Sequence, residues 1–392
     1  MLKYVTISII IIIIIFNLYL KIKFPFWSMQ PVFHIYDLNH WIFTNKIINQ
    51  ELPSMNKYVK PLDIETFGFK DAPQDITVKT ASFIKDHFLR NKYATYNPEY
   101  DDIFNYLGTS TPSFISVYSK PRLLYDNTSS IVDRDILGVI TSRPLFVTFN
   151  KNKIEINVNY VDNLCVHKDN RKQGIAPNLI QTHHYHIRHL NKNTQVCLFK
   201  REGEMTAIIP LTTYSTYGYE IAKFPKNKLE YASMKLLRIR NTNISLLKDF
   251  IKLTGKRFDC VVNTEIVTIS KLLKEENIIA YSLIENNTLH AIYIFRNTPS
   301  IVDDVKGVEC IATINNCAHN DTFYNGFCSS LRRINRKYKT DLVWIEDTAD
   351  ANIIIDYNDR QNVIYKTSCP TAFFLYNYAS YTYNSNSCLF LY

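Results

Sequence analysis

The sequence predicts an α/β (α+β) fold of two mixed-sheet halves in tandem, preceded by one transmembrane helix. Three observations carry that prediction. A long apolar run, unbroken isoleucine from Ile9 to Ile15, opens the chain. The same succession of helices, hairpin, strand, helix and strand then occurs twice. The composition, 46% hydrophobic and 21% charged over 392 residues, is that of a globular protein and excludes a largely disordered or fibrous one.

The apolar run spans Leu2 to Leu20, with no charge between Lys3 and Lys21, and roughly 17 to 20 such residues cross a bilayer. No small-residue cleavage site precedes Lys21, so an uncleaved anchor over residues 1–22 is expected rather than a signal peptide. Lys21 and Lys23 outnumber Lys3, which places the bulk of the chain on the cytoplasmic side as a single-pass membrane protein. An aromatic stretch, Phe24 to Val32, follows the anchor.

From Asn39 to Pro73 the pattern is irregular and punctuated by prolines, so an extended segment is expected. Thr77 to Leu89 has helical spacing, with Phe83, Ile84 and Phe88 on one face. Strands are expected at Ser113–Val117, Asp135–Thr141, Leu145–Phe149 and Ile154–Val166. A helix over Ala176–His189, with Pro177 in its first turn where a missing N–H costs nothing, leads to a strand at Val196–Phe199. The second half predicts helices at Asn243–Leu253 and Thr264–Lys274, then a hairpin of Ile278–Ile284 and Leu289–Phe295 around Asn286-Asn287. A strand at Val308–Ile314, a helix at Asp321–Lys337, and strands at Leu342–Ile345, Ile353–Ile355 and Ala372–Tyr378 complete it. Domains are expected at residues 23–222 and 223–392.

The net charge of +9 comes from scattered lysines and arginines, not from a basic stripe, so nucleic acid is not an expected partner. Eight cysteines without a C-x-x-C pair suit a reducing compartment. His183, His184, His186 and His189 have helical spacing, but no carboxylate or Cys is placed to complete a metal site, so no metal is expected and a solvated helix end is the reading. Cys165 and His167 alternate on a strand, too far apart for a nucleophile pair, which makes Cys165 a core residue.

The chemically loaded segment is Asn163-Leu164-Cys165-Val166-His167-Lys168-Asp169-Asn170-Arg171-Lys172-Gln173-Gly174-Ile175-Ala176-Pro177. A strand runs into a basic, glycine-containing turn and then a helix, so free backbone N–H groups and the positive end of a helix dipole converge. That arrangement cradles an anion. Arg171 to Ala176 fits the R-x-x-G-x-A form of the pyrophosphate loop of GNAT-type acyltransferases.

With its flanks, the segment resembles eukaryotic N-myristoyltransferase. Leu164-Cys165-Val166-His167-Lys168 and Ala176-Pro177-Asn178-Leu179-Ile180 stand at that family's spacing. Phe26-Trp27-Ser28-Met29-Gln30-Pro31-Val32 is similar to its F-W-x-x-Q-P-V, Tyr96 to Tyr100 to its Y-S-P-E-F, Met234-Lys235-Leu236 to its M-K-L, and Phe373 to Tyr378 to its Y-Y-L-Y-N-W. The matches are collinear. The resemblance implies a tandem GNAT-like N-acyltransferase fold, an acyl-CoA-binding first half and a second half that shapes a peptide site. It implies myristoyl-CoA or another acyl-CoA as co-substrate with no permanently bound cofactor, a protein or peptide with an N-terminal glycine as acceptor, and a monomer. By the same resemblance the backbone amides of Asn163 and Leu164 hold the oxyanion and the α-carboxylate of Tyr392 is the base, its pKa raised by an apolar tail. Phe26, Trp27, Val166, Arg171, Lys172, Gln173, Gly174, Ile175 and Ala176 hold coenzyme A.

Two departures stand out. Tyr365 to Pro370 carries none of the glycines or the Asp of the family's K-F-G-x-G-D-G, and Asn163 replaces a common Phe. Two alternatives follow: a GNAT-like enzyme with another acyl group or amine, and an inactive, membrane-tethered binding module. The second-half turn, Asn315 to Asn320, has neither glycine nor lysine nor arginine, so only the first half is expected to hold coenzyme A.

Overall fold

The computed structural model describes residues 2–89, 94–109, 111–126, 129–203, 207–226 and 233–392. Helix α1 (Leu2–Lys23) projects from the body. Its residues Tyr4–Lys23 are long and apolar enough to cross a membrane, and Leu20, near its end, is buried. The chain continues through α2 (Leu38–Ile42) and β1 (Lys46–Ile47).

The first unit comprises β2 (Ile64–Gly68), α3 (Gln74–His87), β3 (Ala94–Tyr96), α4 (Tyr100–Gly108), β4 (Phe114–Asp126), β5 (Ser129–Phe149), β6 (Ile154–Val166), α5 (Ile175–Leu190), β7 (Val196–Glu202) and β8 (Thr212–Glu220). The second comprises β9 (Lys235–Ile239), α6 (Ile244–Thr254), β10 (Cys260–Asn263), α7 (Ile266–Lys274), β11 (Ile278–Glu285), β12 (Thr288–Val302), β13 (Val305–Asn315), α8 (Asn320–Tyr338), β14 (Leu342–Glu346), α9 (Ala351–Arg360), β15 (Thr367–Tyr376), β16 (Tyr378–Ala379) and β17 (Cys388–Leu391).

The duplication is explicit in the pairing. Strands β2, β4, β5 and β6 are antiparallel neighbours and β6 runs parallel to β7; β9, β11, β12 and β13 repeat that order, and β13 runs parallel to β14. The parallel step is where α5 or α8 crosses over, as a parallel pair requires. The half-sheets are then stitched by exchange. β8, from the first unit, pairs with β14, while β15, from the second, pairs with β7, and β8 and β15 pair with each other. β10 lies along the end of β5, and β17 lies parallel to β10, with every residue from Cys388 to Tyr392 buried.

Three expectations need correction. Ile353–Ile355 is not a strand but part of α9, with Ile354 fully buried and its neighbours half-buried; a three-residue β-branched run has no periodicity that separates the two states. The segment from Asn39 to Pro73 is not extended throughout, because it begins inside α2 and closes with a 3-10 turn over Phe69–Asp71; its extended part Ile64–Gly68 is a strand paired with β4. Asp135–Thr141 and Leu145–Phe149 are parts of one strand, in which Pro144 stays in register opposite Asn159.

Candidate active site

The site begins with an irregularity in the β5–β6 ladder. Register slips between the Val139–Cys165 and Thr141–Asp162 pairs, so Asn163 and Leu164 together face Ile140. Such a bulge re-aims side chains and backbone. Asn163 takes a left-handed conformation, φ +50, and its Nδ2 donates to Thr141 Oγ1 at 3.0 Å. Its backbone N–H is donated to Asp162 Oδ1 at 2.8 Å.

Beyond β6 the chain turns through a short 3-10 turn to α5. Lys172 (φ +64) and Gly174 (φ +80) are both left-handed; glycine adopts that conformation without steric cost. Arg171 to Gly174 are exposed, whereas Ile175 is buried and Val166 and Ala176 are half-buried. Arg171 is tethered by its Nη2, which donates to the His87 carbonyl at 2.5 Å, and Gln173 Nε2 donates to the Asp169 carbonyl at 3.4 Å. No acidic residue stands in the first turn of α5 and no side chain caps it. The positive end of the helix is therefore open to an anion.

A cavity of about 790 Å³ runs beside the bulge, walled by both units. Trp27, Ile140, Leu164, Ile180, Ile187 and Phe199 give it apolar lining, while Thr298, Pro299, Ser300, Trp344, Thr367, Ser368 and Cys369 come from the second unit. The last three belong to the segment that departs from the family's glycine signature. Charged groups lie between: Arg143, Asp162, Lys200, Arg296 and Glu309.

Of the residues named from sequence, Trp27, Asn163 and Leu164 line the cavity. Trp27 stacks on Phe199 (5.8 Å, 15°), and buried Phe26 meets Trp27 and Tyr58 edge-on at 5.1 Å each, behind the lining. Tyr392 is buried beside it. Arg296, which lines the cavity, donates from Nη2 to the Tyr392 main-chain oxygen at 3.1 Å. The surroundings of Tyr392 are thus not the purely apolar ones its tail suggests, since a cation beside a carboxylate favours the charged form.

Around Tyr392 lies a polar network that sequence reasoning missed. Its hydroxyl donates to Glu346 Oε1 at 3.1 Å, and Tyr214 donates to Glu346 Oε2 at 3.0 Å. Lys200 Nζ donates to Glu346 Oε1 at 2.6 Å and to Glu309 Oε1 at 3.3 Å; Arg296 Nη1 reaches Glu309 Oε2 at 3.4 Å. Burial pushes both carboxyls up, but Glu309, between Lys200 and Arg296, ends below its ordinary value. Glu346 has Lys200 as its one cationic partner and the neighbouring Glu309 against it, and with burial it ends above its ordinary value. The available signal was a charge closing or interrupting an apolar strand: Lys200 after Val196–Phe199, Glu346 after Leu342–Ile345, and Arg296 directly opposite Glu309 in the β12–β13 register.

Of the histidines of α5 only His189 lies at a solvated helix end; the other three do not. His183 is buried between hydroxyls, Nδ1 at 2.7 Å from Ser116 Oγ and Nε2 at 2.9 Å from Ser142 Oγ. His184 is buried edge-on to Tyr376 at 4.7 Å, and His186 Nδ1 lies 2.7 Å from Thr66 Oγ1. The helix phase turns His183 and His184 toward the sheet, and burial pushes both imidazoles down to about 3. The Cys165 thiol is buried and pushed up to about 12, which makes it inert as a nucleophile.

The chain matches no protein-family model and no curated protein sequence. Solved structures tell more. Saccharomyces cerevisiae N-myristoyltransferase with bound myristoyl-CoA is similar with a TM-score of 0.68 and 12% identity over 92% of this chain and 94% of that one. A second structure of it with bound myristoyl-CoA gives 0.67 and 13% over 93% and 90%. One with myristoyl-CoA and inhibitors gives 0.70 and 11% over 94% of each chain. At that identity the likeness is one of architecture, and it spans nearly the whole molecule: the chain has the N-myristoyltransferase fold.

Proposed function

We propose that the protein is an acyl-CoA-dependent N-acyltransferase that moves a myristoyl or similar group to the N-terminal glycine amine of a protein or peptide. The observation that carries this reading is the cavity beside the Asn163–Leu164 bulge, on a fold whose solved examples bind myristoyl-CoA. The turn from Arg171 to Ala176, exposed as far as Gly174, supports a phosphate site at the head of the helix whose Ile180 and Ile187 line that cavity. In this reading residues 23–222 bind acyl-CoA as co-substrate and 223–392 shape the acceptor site. A monomer tethered through α1 works on the cytoplasmic face.

The amine attacks the thioester carbonyl, forming the N–C bond. The oxyanion falls to backbone amides at the bulge, each such donor contributing roughly 3 kcal/mol. Collapse breaks the C–S bond, a proton of the adduct's NH2 group passes to sulfur, and coenzyme A leaves as the thiol. Leu164 N–H is the better donor, because Asn163 N–H is committed to Asp162. The Tyr392 α-carboxylate takes the amine proton, oriented by Arg296. That same commitment of Asn163 favours a second reading, a binding module that holds acyl-CoA without turning it over.

Mass spectrometry of products after incubation with a panel of acyl-CoAs and glycine-started peptides tests the proposal. Acylated peptide is expected; acyl-CoA binding without any product selects the second reading, and absence of binding rejects both.

A further inference from the structure

Among the described residues one buried charged side chain in the cavity is left unanswered. Arg143, on β5, is 2% exposed and lines the cavity. Its guanidinium lies over the rings of Tyr106 (5.1 Å) and Tyr160 (5.0 Å). Among the described residues it has no ion-pair or hydrogen-bond partner, and Nη1 is buried without one. Its cationic neighbours differ. Lys200 and Arg296 each engage Glu309, and Lys200 also engages Glu346. Asp162 is the acid beside Arg143 on the wall, but it lies beyond ion-pair distance and spends Oδ1 on the Asn163 amide. A buried cation without a partner is costly, and natural interiors avoid it unless something supplies the charge.

The surroundings are built for an anion. Tyr160 meets the Tyr392 ring at 5.2 Å, Arg296 lies 4.5 Å over that ring, and Arg296 and Arg143 flank Tyr106 at 5.9 and 5.1 Å. These contacts close a circle through Arg143, Tyr160, Tyr392, Arg296 and Tyr106. Within it the Tyr106 hydroxyl, which has the Arg296 guanidinium beside it, and Arg296 Nε are also buried with no group among the described residues placed to accept from them. Three donors on neighbouring residues, two of them guanidinium nitrogens, suit a carboxylate. An acyl chain brings no charge here, and in the proposed reading the coenzyme A phosphates go to the exposed turn at Arg171. That leaves the acceptor.

We propose that Arg143, with Tyr106 and Arg296, receives a carboxylate carried by the amine acceptor within a few bonds of its amine. Two acceptors share that chemistry: a free α-amino acid through its own carboxylate, and a glycine-started peptide with an acidic second residue. The proposal rests on the acyltransferase reading.

The test measures binding to the full chain in detergent, with myristoyl-CoA as reference ligand. One arm compares N-myristoylglycine with N-myristoylglycinamide. The other compares the amides of N-myristoyl-Gly-Asp and N-myristoyl-Gly-Asn. The acid should bind about tenfold or more tightly than its neutral isostere in one arm, the size of a charge-assisted contact, and which arm does so names the source. Arg143→Met should abolish the preference while leaving myristoyl-CoA affinity within about twofold. Equal binding of acid and isostere in both arms overturns the proposal without recourse to any variant, and so does a preference that survives in Arg143→Met. Failure of myristoyl-CoA itself to bind removes the acyltransferase reading first and this proposal with it.

Discussion

The two strand–turn–helix crossovers, β6 to α5 and β13 to α8, occupy equivalent places in the duplicated fold and are finished in opposite ways. The first turn is basic, carries Gly174 in a left-handed conformation and leaves the start of α5 uncapped. The second is closed by side chains, two of its own and one from the start of α9: Asn315 N–H is donated to Asp350 Oδ2 at 2.7 Å, Cys317 N–H to Asn315 Oδ1 at 2.9 Å, and Asn315 Nδ2 to Asn320 Oδ1 at 2.9 Å. Asp350 is itself paired with Arg257, whose Nη1 donates to the Asn315 carbonyl at 2.7 Å, and Asp321 stands in the first turn of α8, so the second turn is filled where the first is open.

The undersides of the helices differ in the same sense. α5 presents Ile180, His183, His184 and Ile187 to the cavity. α8 presents Phe323, Tyr324, Phe327 and Leu331, which fill the space against Tyr293 and Phe295. A Cβ at Gly326 would come within 2.4 Å of the Tyr293 hydroxyl, so α8 lies as close to the sheet as a helix can. One copy of the unit leaves room, and the other spends the same room on core. A duplicated scaffold can thus divide ligand binding and stability between its halves.

The sharpest contrast should come from truncating each underside. Phe327→Ala should cost about 3–5 kcal/mol, the range for an aromatic removed from a filled core. Ile180→Ala should cost less than half as much, since its side chain already borders open space. Urea denaturation of the two variants decides, and equal losses would mean that the halves are packed alike.

Next in size is the chain end. Extending the protein by two glycines after Tyr392 moves the carboxylate away from Arg296. Acyl transfer should fall about a hundredfold, the scale of a lost general base, with acyl-CoA affinity nearly unchanged. Full activity in the extended protein would shift the base to another group.

Acid should weaken the first half selectively. His183 and His184 titrate near 6.5 when unfolded and are pushed down to about 3 when folded. The stability they contribute as neutral rings is therefore complete above pH 6.5 and is lost as pH falls toward 3. At pH 5 each accounts for a loss of about 2 kcal/mol. His183→Gln, which keeps partners for Ser116 and Ser142, should flatten the fall in stability between pH 7 and 5 by that amount; an unaltered slope would place the acid sensitivity elsewhere.

The smallest effect expected is that of Gly174→Val. Nothing lies within 4 Å of a Cβ there, so the penalty is conformational, about 1–2 kcal/mol for a side chain held at positive φ. Acyl-CoA affinity should drop about tenfold, as titration calorimetry would show, while a bulky residue at Ala318 in the opposite turn should leave it unchanged.

Much of this was legible in the amino-acid order because the signals are local. The anchor is a matter of length and polarity. The Asn286-Asn287 hairpin needs two residues that tolerate positive φ, and both have it. The turn before α5 announces itself through Gly174, Arg171 and Pro177. Shorter elements escaped: Ile64–Gly68, Cys260–Asn263 and α9 have too few residues to show a period.

What the sequence alone determined was the class of fold, the succession of elements and the place of the glycine turn before α5, because each rests on propensity and periodicity between near neighbours. Only the tertiary structure decided that β8 and β15 trade places between the half-sheets, that Asp162 takes the Asn163 amide, and that Arg143 and Arg296 line one cavity with Tyr392 buried behind Arg296. Arg143 and Arg296 are 153 positions apart in the chain, and no local pattern encodes their meeting. It follows from long-range strand pairing, where a one-residue slip in register would have turned either guanidinium to the other face of the sheet.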